Sequence, residues 1–211
     1  MVIGTIVHRI LEMGPKVFET PGSNRKRLLQ AMTVNVLAAR QAEDNEDMAE
    51  ESASVSSQML ETVVTRVEEI LGRIHGTGYE GILKLAKLPG EPEVEFLLPL
   101  GAWHIKGRFD KLLAHPGGGW EIVDWKTDEA APKEIISRYH EQMRIYALAL
   151  YRAGRAALLD GAVQVHLALL HHGRVETLRF SVDELESFAS KLEKELQEMD
   201  EFGDSPPMVL S

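Results

Sequence analysis

Asp124 and Lys126 flank a single residue in the run Glu121-Ile122-Val123-Asp124-Trp125-Lys126-Thr127-Asp128. Alternate residues of a β-strand point to one face, so a strand here presents the carboxylate and the amine side by side. A second run, Gly107-Arg108-Phe109-Asp110-Lys111, precedes it across Pro116-Gly117-Gly118-Gly119. An antiparallel hairpin centred on residue 117 sets Asp110 opposite Asp124. Directly opposed residues have Cβ atoms roughly 5 Å apart. Two carboxylates at that spacing repel each other and require a cation between them. The pair suits Mg²⁺ or Mn²⁺, hard ions that take oxygen ligands and keep several waters. A lysine one pleat away could orient or deprotonate a metal-bound water, or offset charge on a phosphorane-like transition state. The plain alternative is a strand-end Asp-x-Lys with Asp110 in a surface ion pair, and so short a pattern by itself favours that alternative. The other face of the strand pair carries Phe109, Leu113, Val123 and Trp125 as core.

The elements that must position these residues follow from periodicity. Residues 4–14 predict a short helix with Thr5 as N-cap, an apolar stripe of Val7, Ile10 and Leu11, and a stop at Gly14-Pro15. Residues 23–40 and 59–75 carry further helical patterns, the second ending at Gly76 and Gly78, and 79–88 adds a short helix. Between them, 41–58 is acidic and Ser-rich and reads as a mobile loop or frayed helix ends. The texture changes after Pro92. Strands are expected at 93–100, 102–114 and 119–127. A strong helix is expected at 132–154, with Pro132 in its first turn and Gly154 near its end. Strands at 162–171 and 174–180 turn at Gly173, and an acidic amphipathic helix covers 181–201. No internal repeat is visible. The expected fold is one α/β (α+β) domain over 1–211. It comprises a helical segment at 1–90, a core at 91–202 with a mixed sheet of about five strands flanked by helices, and a loose tail at 203–211.

Other residues invite chemistry, each with a plainer reading beside it. A lone His8 next to Val7 and Leu11 is more often a satisfied helix histidine than a ligand. Gln142 and Tyr146 stand at i and i+4 and share a helix face. Alone, Tyr146 reads as core beside Met143 and Leu150, and Gln142 as exposed. Glu95 could be an outer acid of the site, although a strand-edge carboxylate is the simpler reading. His171-His172 before Gly173 looks like a metal pair, although a hairpin turn with solvated histidines fits better. Arg25-Lys26-Arg27 could meet phosphate or form a solvated first helical turn.

Four segments taken in order resemble the PD-(D/E)XK nucleases, specifically the RecB/AddA-type nuclease domain of bacterial helicase–nucleases. The strand runs 107–111 and 121–128 resemble its core. Gly4-Thr5-Ile6-Val7-His8-Arg9-Ile10-Leu11-Glu12 resembles its N-terminal helix, in which the histidine is a metal ligand. Gln142-Met143-Arg144-Ile145-Tyr146 resembles its Gln-x-x-x-Tyr helix. The ordered set spans residues 4–146, about two-thirds of the chain. The resemblance implies a restriction-endonuclease-like core and a Mg²⁺- or Mn²⁺-dependent DNA exonuclease acting in double-strand-break processing and recombination repair. It implies His8, Asp110, Asp124 and the backbone carbonyl of Trp125 as metal ligands. It implies Lys126 as the residue that positions and activates water, and Gln142 and Tyr146 as residues that touch DNA backbone or brace the lysine. The implied partners are DNA and a helicase, in the same parent chain or in a partner subunit. Starting at the motif with a methionine fits an excised or naturally separate nuclease domain. A non-catalytic module of the same fold, guiding DNA or docking a partner, is the alternative. Such a module should have lost Asp110, Asp124 or Lys126, and none is lost. A purely structural helical scaffold leaves the opposed carboxylates unexplained.

Composition narrows the field further. The chain has 211 residues and no cysteine, so it supplies no disulfide, no cysteine nucleophile, no thiolate zinc site and no iron–sulfur cluster, the last a feature of several relatives. No Gly-x-x-x-x-Gly-Lys-[Ser/Thr] loop is present, so no nucleotide site of that kind exists in this chain. No apolar run is long enough for a membrane span, and a cytoplasmic location is expected. The net charge of −10 sits in two segments, 41–61 and 183–204. The remainder holds 17 acids against 21 bases, a net charge of +4 that gives a polyanion a mildly favourable surface.

Overall fold

A computed structural model describes residues 2–13, 22–44 and 57–201. They fall into two compact units, Met1–Lys87 and Leu88–Ser211. The first is helical. α1 (Val2–Glu12) buries Ile6, Val7, Ile10 and Leu11, the spacing of one helix face. It begins before Thr5, which lies inside it and is not its cap. Val2 and Ile3 extend the stripe at i−4 from Ile6 and Val7, so the helix gains apolar contacts by starting early. α2 (Gly22–Asp44) and α3 (Ser57–Ile74) pack against α1 and each other, and α4 (Glu80–Lys87) follows on α3. Residues 41–44, expected in the acidic loop, continue α2; Ala42 and Glu43 are good helix formers. Residues 45–56, the expected stop at Gly14-Pro15 and the tail 203–211 lie outside the described residues.

The second unit carries the sheet. Its strands are β1 (Gly90–Leu100), β2 (Trp103–Ala114), β3 (Trp120–Lys126), β4 (Leu158–Leu159), β5 (Ala162–Leu169) and β6 (Arg174–Ser181). Its helices are α5 (Pro132–Arg152) and α6 (Val182–Glu201). β1, β2 and β3 pair antiparallel in sequence. β3 and β5 are parallel, a relation that needs the crossover through α5. β6 lies antiparallel along all of β5. The short β4, which has no clear sequence signal, pairs with the first two residues of β5 and makes six strands of the expected five or so. The sheet is therefore mixed, as expected, and β3 sits in its middle. A strand so placed is buried on both faces, and Ile122 to Trp125 are all buried.

The β2–β3 hairpin is centred on residue 117, pairing Ala114 with Trp120 and Lys111 with Val123. Its turn uses Gly118 and Gly119 at φ +94° and +80°. At Gly119 a Cβ would meet the Ala157 backbone nitrogen at 2.7 Å, so both conformation and space demand glycine. One expectation about this hairpin is corrected. Leu113, Val123 and Trp125 are buried, but Phe109 does not share their face. It joins the cluster of Leu112, Ile122, Met143 and Tyr146 under α5. Lys111, Leu112 and Leu113 are buried in succession, so both faces of β2 are covered at this end and simple alternation no longer assigns the core face. On β1, Glu93 adopts a left-handed φ of 51°.

Glu121, on the strand face away from Asp124, ties the hairpin turn to the sheet. Its carboxylate oxygens meet His115 Nδ1 at 2.6 Å and His166 Nε2 at 2.7 Å, while His166 Nδ1 meets Thr177 Oγ1 at 3.0 Å. Burial works to raise the Glu121 pKa, but the two histidines outweigh it and hold the carboxyl below the ordinary 4.5. A depressed folded-state pKa contributes stability above the unfolded value, and that contribution is lost as pH falls through the folded one. Glu121→Gln should therefore lower the Tm at pH 7, and its gap from the wild type should close as pH falls below 4.5. Calorimetry across pH 3–8 checks this; a gap independent of pH would place the effect elsewhere than in the ionised carboxylate.

Candidate active site

Asp124 enters from the central strand and is 1% exposed. A carboxylate in such a place must be paired, because an uncompensated buried charge costs several kcal/mol. Lys126, two residues on and on the same face, provides the partner: its Nζ lies 2.9 Å from Asp124 Oδ2. Burial alone would push the lysine pKa down. The charges of Asp124 and Asp110 outweigh that and hold it above its ordinary 10.5, as an ammonium.

Asp110 reaches the same point from β2. Its Oδ2 accepts the backbone N–H of Trp125 at 2.8 Å. Just past the last ladder pair, Lys111↔Val123, a side-chain carboxylate takes a bond that a regular ladder gives to a backbone carbonyl. The two strands part there, and the carboxylates stand at the opening.

α5 closes the group from the other side. Pro132 starts this helix, where its missing N–H costs nothing. Gln142 Oε1 accepts from Lys126 Nζ at 3.4 Å, and Gln142 Nε2 donates to Tyr146 Oη at 3.0 Å. Tyr146 is buried, its ring edge-on to Phe96 and Phe109 at 5.5 Å. Gly107 makes this packing possible: a Cβ there would lie 2.4 Å from the tip of the Phe96 ring. Burial first, then the two aspartate charges, push the Tyr146 phenol far above its usual range, so it stays neutral. Tyr146 is thus both core and part of the polar chain, and Gln142 is partly buried rather than exposed.

Three further groups complete the surroundings. The Tyr139 ring lies over Lys126, with Nζ 4.0 Å from its centroid. Tyr139 Oη donates to Asp128 Oδ2 at 3.1 Å, and Arg138 Nη1 donates to Asp128 Oδ1 at 2.7 Å. Sequence reasoning missed Tyr139. The usable signal was its position three residues before Gln142, on the same helix face.

The other candidates stand on other elements. His8 is partly buried on α1 of the first unit. Glu95 stands on β1 across from Arg108. His171 and His172 occupy the turn before Gly173, where His172 Nε2 meets the Ala130 carbonyl at 2.8 Å. Arg25, Lys26 and Arg27 lie in the first turns of α2, the latter two exposed. Among the described residues, no three His, Asp or Glu side chains form a group that could hold a metal ion. The second unit offers a carboxylate pair with an ammonium. The donor chemistry fits a hard divalent ion that completes its shell with water and substrate oxygen.

A family model described as the PD-(D/E)XK nuclease superfamily matches residues 1–208. The chain belongs to the PD-(D/E)XK nuclease superfamily. Members are in general nucleases that use divalent metals, which supports nuclease activity and a DNA substrate for this one. The mixed α/β architecture is consistent with a restriction-endonuclease-like fold, and the motif Asp110…Asp124-Trp125-Lys126 stands at its sheet opening. No curated protein gives a significant match. A solved structure named "Crystal structure of SSO0001" is similar at 19% identity over 83% of this chain and 88% of that one, with a TM-score of 0.41, too distant to bear on the argument. No helix among the described residues of this superfamily member is long and apolar enough to cross a membrane.

The Asp110 contact yields a stability test. Asp110→Ala leaves the Trp125 N–H without its acceptor, at a cost of about 1–3 kcal/mol. Asp110→Asn keeps an acceptor oxygen and should cost less. Urea denaturation of both variants measures the difference; equal losses would mean that the Trp125 bond does not matter.

Proposed function

We propose that this chain is a Mg²⁺- or Mn²⁺-dependent DNA exonuclease domain that works with a helicase in double-strand-break processing and recombination repair. The observation that carries the reading is the convergence of Lys126, Asp124 and Asp110 at one opening of the sheet, with the lysine held as an ammonium. The exonuclease and helicase parts rest on the RecB/AddA-like order of the motifs at 4–12, 107–111, 121–128 and 142–146.

In this proposal Asp110, Asp124 and the Trp125 carbonyl hold the ion, and His8 is added as a ligand on the motif resemblance alone. One strand argument favours the carbonyl. In a β-strand the N–H and C=O of a residue leave toward the same neighbour. The Trp125 N–H goes to Asp110, whereas the Lys126 carbonyl accepts from Leu170 N at 2.8 Å, on the β5 side. The Trp125 carbonyl therefore leaves on the Asp110 edge. Bound there, a divalent ion would polarise a phosphoryl oxygen and lower the pKa of its water.

The chain's own groups do the rest. An ammonium donates; it does not abstract. Lys126 accordingly orients the attacking water and offsets charge that develops on the phosphoryl oxygens. Gln142 holds the ammonium from α5, and the neutral Tyr146 phenol fixes the Gln142 amide. Asp110 ties β2 to β3 where their ladder ends, through the Trp125 N–H.

End-labelled single-stranded and duplex DNA incubated with Mg²⁺, Mn²⁺, Ca²⁺ or EDTA tests the reading. Cleavage should need Mg²⁺ or Mn²⁺ and stop with EDTA. Asp124→Ala and Lys126→Ala should each lower the rate about 100-fold or more, with DNA binding retained. Asp124→Ala at wild-type rates would refute the assignment. The isolated chain should cleave free DNA poorly, because a net charge of −10 opposes capture of a polyanion. Fusion to, or mixing with, its helicase should raise turnover through effective concentration. Equal rates with and without the helicase, and little change across a salt series, would overturn the helicase part.

A further inference from the structure

We propose that Tyr139 is a positioning residue for Lys126: its ring face carries the ammonium, and Asp128 and Arg138 hold the ring. Its effect on turnover rests on the nuclease reading, whereas the contact itself is measurable without activity.

An ammonium has three N–H donors. In this site Asp124 Oδ2 stands at 2.9 Å and Gln142 Oε1 at 3.4 Å from Lys126 Nζ. The Tyr139 ring covers a third side, with its centroid 4.0 Å away, well inside the roughly 6 Å reach of a cation–π contact. Both α5 groups lie on one helix face, three residues apart, and the carboxylate comes from β3. The headgroup is thus bounded by an anion, a neutral acceptor and a π face.

The ring is itself fixed. Its hydroxyl donates to Asp128 Oδ2, and the other oxygen of Asp128 accepts from Arg138. Asp128 lies two residues beyond Lys126. The chain that leaves β3 with the lysine therefore supplies the carboxylate that pins the ring lying over that lysine. Burial pushes the Tyr139 phenol up, and although the Lys126 charge opposes this, the hydrogen bond to Asp128 adds to the rise, so the hydroxyl remains a donor. A lysine on a flexible four-carbon stem has many rotamers. A displacement of about 1 Å at a reacting group can cost about 100-fold in rate. A device that selects one lysine rotamer is worth that much to the site.

The test compares Tyr139→Leu, Tyr139→Phe and wild type in the full chain. One readout is the proton shift of the Lys126 ε-methylene, assigned by comparison with Lys126→Met. The other is the split of kcat and KM on end-labelled single-stranded DNA with Mg²⁺. In the wild type the ε-methylene should sit upfield through the ring current. Tyr139→Phe, which keeps the π face but loses the bond to Asp128, should fall between wild type and Tyr139→Leu in both readouts. Tyr139→Leu should lose the shift and lower kcat about tenfold to a hundredfold, with KM within about threefold. An unshifted wild-type signal would overturn the proposal. So would Tyr139→Leu at wild-type kcat, Tyr139→Phe as impaired as Tyr139→Leu, or a change confined to KM. Should Tyr139→Leu fail to fold, Asp128→Asn, which weakens the hold on the ring, reads the same device: the shift should shrink and kcat should fall. Absence of cleavage by the wild type would defeat the nuclease reading alone. The ring-current shift and its loss in Tyr139→Leu would then decide the positioning claim.

Discussion

The arrangement depends on one ion pair in a place hostile to ions. Asp124 sits in the middle strand of the sheet, between two buried faces. Its charge is tolerable because the Lys126 ammonium is 2.9 Å away. Breaking such a pair by removing one partner typically costs about 3–5 kcal/mol, since the remaining charge is stranded. Everything near it keeps that cation in place. The parallel pairing of β3 with β5 brings Lys126 to the end of the sheet, and parallel pairing demands a crossover helix. That helix, α5, then supplies Gln142 and Tyr139 from one face.

A second constraint follows from where the sheet stops being regular. β1 and β2 pair over most of their length, with Glu93 at a left-handed φ between the pairs Pro92↔Lys111 and Val94↔Phe109. β2 and β3 pair from the turn to Lys111↔Val123, and then the Asp110 side chain takes the Trp125 N–H. A continuous ladder there would have left no room for a ligand and no reason for a carboxylate. Close by, Phe109 stacks on Phe96 at 4.7 Å and meets the Tyr146 ring edge-on. The aromatic cluster beside the Tyr146 phenol therefore lies next to the point where the β2–β3 ladder gives way to the Asp110 side chain.

These two layers were not equally legible. The loop Pro116-Gly117-Gly118-Gly119 places the hairpin centre near residue 117 from spacing alone, and the observed pairs up to Lys111↔Val123 keep that centre. The i,i+4 relation of Gln142 and Tyr146 likewise needs only a helix. Alternation puts Phe109 on the wrong face because it assumes one covered side, whereas Lys111, Leu112 and Leu113 are buried in succession. Thr5 was read as a cap because caps are local signals, whereas the two apolar residues before it were the stronger influence. β4 is two residues long and exists through its pairing with β5. Tyr139 differs: its place three residues before Gln142 marks a shared helix face, but no spacing marks the cation–π contact itself.

Charge sets the terms on which this site could meet a phosphodiester. Two carboxylates and one ammonium leave a net charge of −1 at the opening, counted from Asp110, Asp124 and Lys126. Asp128 adds nothing, because Arg138 offsets it. A phosphate approaching these residues alone meets repulsion, and the chain as a whole repels it further at −10. A dication held by the two aspartates would change the local sum to +1 and would weaken the field that holds Lys126 against Asp124, since both cations would compete for the same carboxylate. The lysine then needs another hold if it is to stay within reach of the phosphate. The uncharged groups on α5, the Gln142 amide and the Tyr139 ring, are suited to that, because their attraction for the ammonium does not depend on the carboxylates. Under the nuclease reading, α5 is the element that keeps Lys126 in place while the charge beside it changes sign.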